Sequence, residues 1–343
     1  MLLFMDGFDH YTAPLLKWDS SSFALNIFNT QAQGRFTPGA LIVEGQSGGG
    51  KIIKNIQTST ELTVGFAWYA TAAKQAIVKF LTVEGNEWSC RINYLTQEVS
   101  LSYSSGGAPE ATFVDTDLSQ AQWNYWEFRI KMHGSLGELE IRKGGNLLVA
   151  TTGVNTLQSA TGINKLQIQA DDNGIMGYLD DLYLIDAEGT KNIAPLGDVR
   201  VTALRPKANG TTNNFSPSEA TQWESQNEVL CDEDVSFVEA GQLGSAEDYD
   251  NKNFDDVGLA PGTIFGVQVV NAAKKTDAGQ LRYKDEMVVA GLRYDNGTEV
   301  TSGSGTYRMT EFIRDTDPSD DADWTEAKVA AVGSGFTITY REV

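Results

Sequence analysis

Apolar and polar positions alternate with period two along residues 1–190. In "ELTVGFAWYA" (61–70) Leu62, Val64, Phe66 and Trp68 share one parity, which predicts an extended strand with one apolar face. "WSCRINYL" and "EVSLSYSS" repeat the pattern and read as antiparallel neighbours. "NYWEFRIKMHG" and "GELEIRKGGNLLVAT" read as a hairpin followed by a second turn at Lys143-Gly144-Gly145. Glu84-Gly85-Asn86 is another turn signal, and so is Asn173-Gly174 inside "INKLQIQADDNGIMGYLDDLYLID". "LLFMDGFDHY" and "GALIVEGQ" add strands near the start. Roughly ten to twelve short strands, with turns about every 8–12 residues, predict a β-sandwich or jelly roll.

The texture changes near 187–200, where "AEGTKNIAPLGDVRVTALRP" brings a loop, a proline and a fresh strand. Residues 206–263 are polar and acidic with little periodicity, and structureless loops of that length are uncommon inside a compact domain. The segment is either an extended arm lying over a neighbour or a loop-rich half of a second domain, and the arm, ordered by a neighbouring subunit, is the expectation. Strands resume in "TIFGVQVVNAAKKTDAG", "QLRYKDEMVVAGLRYDNG" and "GTYRMTEFIRD", with a turn at Asn296-Gly297. Near the end, "EAKVAAV" is the tidy helix candidate, capped by Thr325 or Asp323 and ended by Gly333, before a final strand "FTITY". The expected fold class is therefore all-β. A jelly-roll sandwich spans 1–190. A smaller, loop-rich β domain with one short C-terminal helix spans 197–343 and carries the acidic arm 206–263.

Composition agrees with strands and tight turns: Gly is frequent at 34, Pro sparse at 8, and hydrophobic residues make up 41% of the 343. The formal net charge is −20, with 21 acids against 14 bases up to residue 200 and 25 against 12 after it. Such a surface repels nucleic acid and anionic membranes, and it favours solubility. No run approaches 18 apolar residues, so no membrane insertion is expected. The opening "MLLFMDGFDHY" lacks the basic region and cleavage site of a signal peptide. Cys90 and Cys231 make neither a disulfide framework nor a metal motif, which suits folding in a reducing cytosol. An all-β chain with cytosolic cysteine usage fits a virion protein, made in the host cytoplasm and exported as particles.

Three features of the first part, "DGFDHY" with the following "LKWD", the "YWEFRIKMHG…GELEIRKGGNLL" series and the closing "GYLDDLYLID", resemble the concanavalin-A-like or laminin-G-like jelly roll. In that fold the first and last strands often lie side by side. The whole chain further resembles a group of tailed-bacteriophage virion structural proteins, through "LGDVRVTALRPKANG", "GVQVVNAAKKTDAG" and "DWTEAKVAAVGSGF". That resemblance implies a non-enzymatic component of tail, fibre base or head decoration. Its partners would be other virion proteins and copies of itself, with a trimer as the expected symmetry. The alternative is a receptor-binding lectin that recognises host surface glycan through the jelly roll.

Candidate chemistry is thin. Glu138 and Glu140 share a strand face as the acids of jelly-roll glucanases do, but the next position on that face is Arg142, which cannot act as an acid. Asp171, Asp172, Asn173, Asp180 and Asp181 offer hard oxygen ligands for calcium, in no EF-hand spacing. The acidic stretches at 232–234 and 317–323 read as solvated loops. The two histidines, His10 and His133, form no metal motif. "GQSGGGK" (45–51) lacks the Ser or Thr and the following helix of a phosphate loop. No cofactor is expected. Trp88, Tyr94 and Tyr103, on adjacent predicted strands, are the candidate glycan platform, with Trp68 and Tyr69 beside them. A sandwich core is the competing use of such rings. Asp180 and Asp181 are expected at the entry of a strand covered on two sides, as backbone-bonding turn residues or as partners of Lys or Arg.

Overall fold

A computed structural model of the chain describes all residues except 12–13, 23–33, 37–38, 46–49, 73–74, 104–108, 159, 171–173, 233, 261, 296, 298, 303–304 and 342–343. The chain divides into two compact units, Met1–Thr202 and Ala203–Val343. The segment after the last jelly-roll strand thus belongs to the first unit up to Thr202.

The first unit contains fourteen strands among the described residues: β1 Leu2–Asp6, β2 Ser20–Ser22, β3 Leu41–Gly45, β4 Gly50–Ser59, β5 Glu61–Ala70, β6 Gln75–Thr82, β7 Glu87–Asn93, β8 Glu98–Tyr103, β9 Pro109–Val114, β10 Trp123–Lys131, β11 Gly137–Lys143, β12 Asn146–Val154, β13 Ile163–Ala170 and β14 Gly174–Asp186. One sheet runs β1-β14-β5-β10-β11-β12, with β3 also paired to β14. The other runs β2-β4-β13-β6-β7-β8-β9. Every ladder is antiparallel, and the first and last strands pair side by side, Leu2 opposite Ile185 and Asp6 opposite Leu182. This is the jelly-roll sandwich that the pattern and the resemblance predict.

The core follows the predicted parities. Leu62, Val64, Phe66 and Trp68 face inward beside Trp126, Phe128 and Ile130 of β10, and all are buried. Val78, Phe80, Trp88, Cys90, Ile92 and Leu101 supply the opposing layer. Each such side chain contributes roughly 1.5–3 kcal/mol through its removal from water. The Lys143-Gly144-Gly145 turn is made as expected, with φ of +53° and +80° at its two glycines, values that L side chains resist. The turn residues Asn173 and Asn296 and the 46–49 glycines lie outside the described residues.

The opening motif has a physical role. Asp6 is buried and accepts hydrogen bonds from Tyr11 Oη (2.5 Å), Trp18 Nε1 (3.1 Å) and the Phe8 amide (2.9 Å), with Lys17 Nζ at 3.4 Å. One carboxylate thus gathers "DGFDHY" and "LKWD" and keeps its charge compensated away from water.

The second unit carries β15 Pro206–Asn213, β16 Ser216–Pro217, β17 Val238–Glu239, β18 Ala246–Asn251, β19 Val267–Ala273, β20 Leu281–Val289, β21 Leu292–Tyr294, β22 Val300–Ser302, β23 Arg308–Arg314 and β24 Val332–Arg341. Its main sheet runs β15-β18-β24-β20-β21, with β22 paired to β20. Val269, Met287, Val289, Phe312, Trp324, Val329 and Val332 form one core cluster. The arm expectation needs correction here. Residues 206–213 and 246–251 of that segment are strands of the unit's own sheet. Buried Asp248 pins them, accepting the Thr211 and Thr212 amides at 2.8 Å and pairing with Arg293 at 2.7 Å. The periodicity was hidden because buried acids take the place of apolar residues. The helix is shorter than predicted: α1, Pro14–Lys17, is a single turn in the first unit, and α2 covers Glu326–Ala330 in the second. Thr325 caps α2, accepting from the Lys328 amide at 3.3 Å, and Gly333 belongs to β24.

Candidate functional site

The sheet containing β5, β10 and β14 turns one face to the core and the other outward. Register orders the outward residues into rows that cross the strands. Tyr178, Tyr69 and Trp123 form the first row. Asp180, Ala67 and Tyr125 form the second, and Tyr183, Gly65, Glu127 and Arg142 the third. Ile185, Thr63, Arg129 and Glu140 come next, then Glu61, Lys131 and Glu138.

The middle rows are covered by the chain's own exit segment. The Leu196 amide donates to Tyr183 Oη at 3.0 Å, the Gly197 amide to Glu127 Oε1 at 2.8 Å, and the Val201 amide to Asp181 Oδ1 at 2.8 Å. Tyr183 Oη in turn donates to Glu127 Oε1. Glu127, Tyr183, Tyr125 and Asp181 are buried as a result. Gly65 makes room for the Tyr183 ring, since a Cβ there would lie 2.1 Å from Cε1.

Asp180 and Asp181 sit in the middle of β14, not at its entry. A register shift between Asp180 and Tyr183 makes a bulge, and Asp181 takes a φ of +50°. The bulge turns both carboxylates toward donors. Asp180 accepts the Arg35 amide at 2.8 Å and the Asp181 amide at 2.7 Å. Asp181 Oδ2 faces Arg35 Nη1 at 3.3 Å. Arg35 also grips Asp198 of the exit segment at 2.5 Å and lies over the Tyr125 ring. Burial, then the neighbouring Asp181 charge, pushes the Asp180 carboxyl upward, and burial raises Asp181 as well. Backbone bonding and arginine pairing are thus both realised. Asp171 and Asp172 lie outside the described residues, and among the described residues no group of three or more His, Cys, Asp or Glu side chains is arranged to hold a metal ion.

Of the sequence-predicted glycan platform, Trp88 and Tyr94 are core and Tyr103 packs against Trp88. Trp88 is fully buried opposite Phe80 and Tyr103, and Tyr94 is buried just after β7. Tyr103 is half-buried with its ring 5.2 Å from that of Trp88. These positions share the inward parity of their sheet, so their rings fill the sandwich. Trp68 is core as well.

Glu138 and Glu140 do lie together on the outward face, but in an ion-pair network. Arg129 contacts Glu61 (2.5 Å), Glu138 (3.0 Å) and Glu140 (2.6 Å), while Lys131 holds Glu138 and Arg142 holds Glu140, each at 2.9 Å. Hydrogen bonds from Lys131 and Arg129 hold the Glu138 carboxyl below the usual range, the opposite of what a general acid needs. In the second unit, Asp232 accepts from the Ser236 amide at 2.9 Å and Asp234 pairs with Lys274, while Glu233 lies outside the described residues. Asp317 is buried against Ser319 and Lys328, so that acidic stretch anchors α2 in place of forming a solvated loop.

The open part of the outward face is the aromatic row. Tyr69 lies 5.5 Å from Trp123 and 5.9 Å from Tyr178, centroid to centroid, and all three are half-buried. Sequence reasoning placed Tyr69 beside a platform but missed Trp123 and Tyr178. The available signal was their parity, opposite to Trp68, Trp126 and Leu179.

No protein-family model matches the chain, and no curated protein matches it. Among solved structures, an endo-β-1,4-glucuronan lyase from the fungus Trichoderma reesei is 14% identical, covering 54% of this chain and 95% of its own with a TM-score of 0.38. An endo-1,3-β-glucanase from Streptomyces sioyaensis is 10% identical, with the same coverages and a TM-score of 0.36. A Caenorhabditis elegans galectin is 13% identical, covering 42% of this chain and 94% of its own with a TM-score of 0.29.

Proposed function

We propose that the first unit is a carbohydrate-binding module that holds a glycan on the Tyr178–Tyr69–Trp123 row without transforming it. The observation that carries this reading is the row itself: three ring side chains from three adjacent strands, on the outward face and only half-buried. Rings so placed offer apolar faces to the C–H side of a sugar, while polar groups set its orientation. Asp198 and Arg35, associated with the next row, are charged groups of that kind. Binding without catalysis is favoured because Glu138 and Glu140 are consumed in ion pairs and Glu127 lies under the exit segment. The sequence resemblance to tailed-phage virion proteins supplies the proposed setting, a particle surface from which such a module would meet host glycan.

The full-length protein on a glycan array, followed by calorimetry, tests the reading. Trp123→Ala should weaken the best ligand at least tenfold, about 1.4 kcal/mol. Silence across the array, or unchanged affinity in both Trp123→Ala and Tyr69→Ala, refutes it.

A further inference from the structure

The first unit holds arginines of two kinds. Arg35, Arg129 and Arg142 each grip at least one carboxylate. Arg200 grips none among the described residues. Its Nε is buried without a hydrogen-bond partner, and its guanidinium carbon lies 4.7 Å from the centroid of the Phe36 ring. Of its nitrogens only Nε is so enclosed, which leaves the Nη groups at the surface. A guanidinium carries five N–H donors in a planar fork that fits a carboxylate, and contact with a ring face satisfies none of those hydrogen bonds. In a chain of 46 acids against 26 bases, such an unpaired fork is conspicuous. Arg91 is likewise without an ion pair, but it lies on β7, in the opposite sheet.

Two anchors fix the place of Arg200. The Val201 amide bonds Asp181 Oδ1 at 2.8 Å and holds the preceding residue beside the second outward row. The Arg35 amide bonds Asp180 of that same row at 2.8 Å and brings Phe36 along with it. The Arg35 guanidinium carbon lies 4.6 Å from the Phe36 ring and 5.3 Å from the Tyr125 ring. Tyr125 is two residues along β10 from Trp123, roughly 7 Å. A step thus stands beside the aromatic row, with Phe36 exposed at 53% and Arg200 half-buried. The Arg35 fork is already occupied by Asp181, Asp198 and the Val199 carbonyl. Arg200 is the cation on this step whose donors are unspent.

We infer that Arg200 reads a carboxylate on the bound sugar, so that the ligand of the first unit is an acidic glycan. This deepens, and rests on, the reading of the aromatic row as a glycan site. The three rings offer contact area that any pyranose can use, whereas a charged fork selects the sugar that carries its partner. The net negative surface opposes a densely charged polyanion, so a single acidic sugar or a sparsely charged chain is the expected class.

Calorimetry on the full-length protein tests this with an oligoglucuronate, a sialylated oligosaccharide and the carboxyl-reduced form of each. The first pair presents the carboxylate inside a chain and the second at its end. In at least one pair the acidic form should bind at least tenfold tighter than its reduced counterpart. Arg200→Gln should abolish that preference and leave affinity for the reduced form within twofold of wild type. Arg200→Lys should keep part of the preference and Arg91→Gln all of it, while Trp123→Ala weakens both forms alike. Equal wild-type affinity for acidic and reduced forms overturns the inference, and that comparison needs no variant to fold. A preference that survives in folded Arg200→Gln, or that Arg91→Gln removes equally, overturns it too, the latter by marking a bulk-charge effect. Neutral ligands held through Trp123 with no acidic preference sink this inference and leave the binding-module reading standing. Silence toward every glycan refutes that reading and this inference with it.

Discussion

Substituting Gly65 with alanine probes how the outward face is built. The new Cβ would lie 2.1, 2.6 and 2.8 Å from Cε1, Cζ and Cδ1 of Tyr183. Carbon atoms rest at about 3.5–4.0 Å, so the ring must retreat by roughly 1.5 Å. Its hydroxyl moves with it, away from both Glu127 and the Leu196 amide. A hydrogen bond to a carboxylate contributes about 1.5–3 kcal/mol and a neutral one about 0.5–1.5 kcal/mol. Overpacking alone costs roughly 1–3 kcal/mol. These losses stem from one displacement and do not add. Alanine also gains about 0.5–1 kcal/mol over glycine in a strand. The net expectation is a destabilisation of about 2–3 kcal/mol. Urea unfolding followed by tryptophan fluorescence reports it, since Trp18, Trp68, Trp88 and Trp126 are fully buried in this unit. In a Tyr183→Ser background the same substitution should be neutral or stabilising, giving a coupling energy near the full effect. An equal cost in both backgrounds, or a cost below about 0.5 kcal/mol in the wild type, would refute the arrangement.

Two other substitutions separate structure from binding. Burial, together with the neighbouring Asp181 charge, raises the folded pKa of Asp180 above its unfolded value, and burial raises that of Asp181, so the native state holds protons that the unfolded chain releases. The resulting stabilisation is complete below about pH 4, the unfolded value, and is lost as pH rises through the raised folded values; melting of the first unit should therefore fall as pH rises above that value, and Asp180→Asn should flatten the slope. A stability that rises over this window, or a slope unchanged by the variant, would contradict it. Trp88→Ala should cost about 3–5 kcal/mol by opening a core cavity, while the variant that remains folded keeps wild-type glycan affinity, measurable by calorimetry alongside a melt.

Much of the sandwich was legible because its signal is local. Parity grouped Leu62, Val64, Phe66 and Trp68 of β5 on one face, and paired glycines named the β11–β12 turn. The β15–β18 pairing was not legible, because its strands read "PKANGTTN" and "AEDYDN". Their stabilisation comes from Asp248 meeting backbone amides from residues 37 and 36 positions away and an arginine 45 positions away. No window of hydropathy contains that information. The bulge at Asp181 escaped for a related reason. An acid pair reads as a turn until the distant Arg35 and Val201 that satisfy it are known.

The aromatic residues show why parity identifies faces but not ligand sites. Trp88, Tyr94 and Tyr103 looked like a platform because they recur on neighbouring strands, yet neighbouring strands also line a core, and parity alone cannot say which face is which. The all-apolar character of "FAWYA" sharpened the ambiguity. β5 has small outward residues, Thr63, Gly65 and Ala67, and these are buried because Tyr183, Tyr125 and the exit segment lie over them. A face can therefore be outward in register and still closed to ligand. What selects Tyr69, Trp123 and Tyr178 is the conjunction of two facts: outward register, and a position beyond the rows that residues 196–201 bond. The first fact is written in the strand alternation. The second depends on where a loop with no periodicity of its own comes to rest, which three amide donors to buried side-chain oxygens decide.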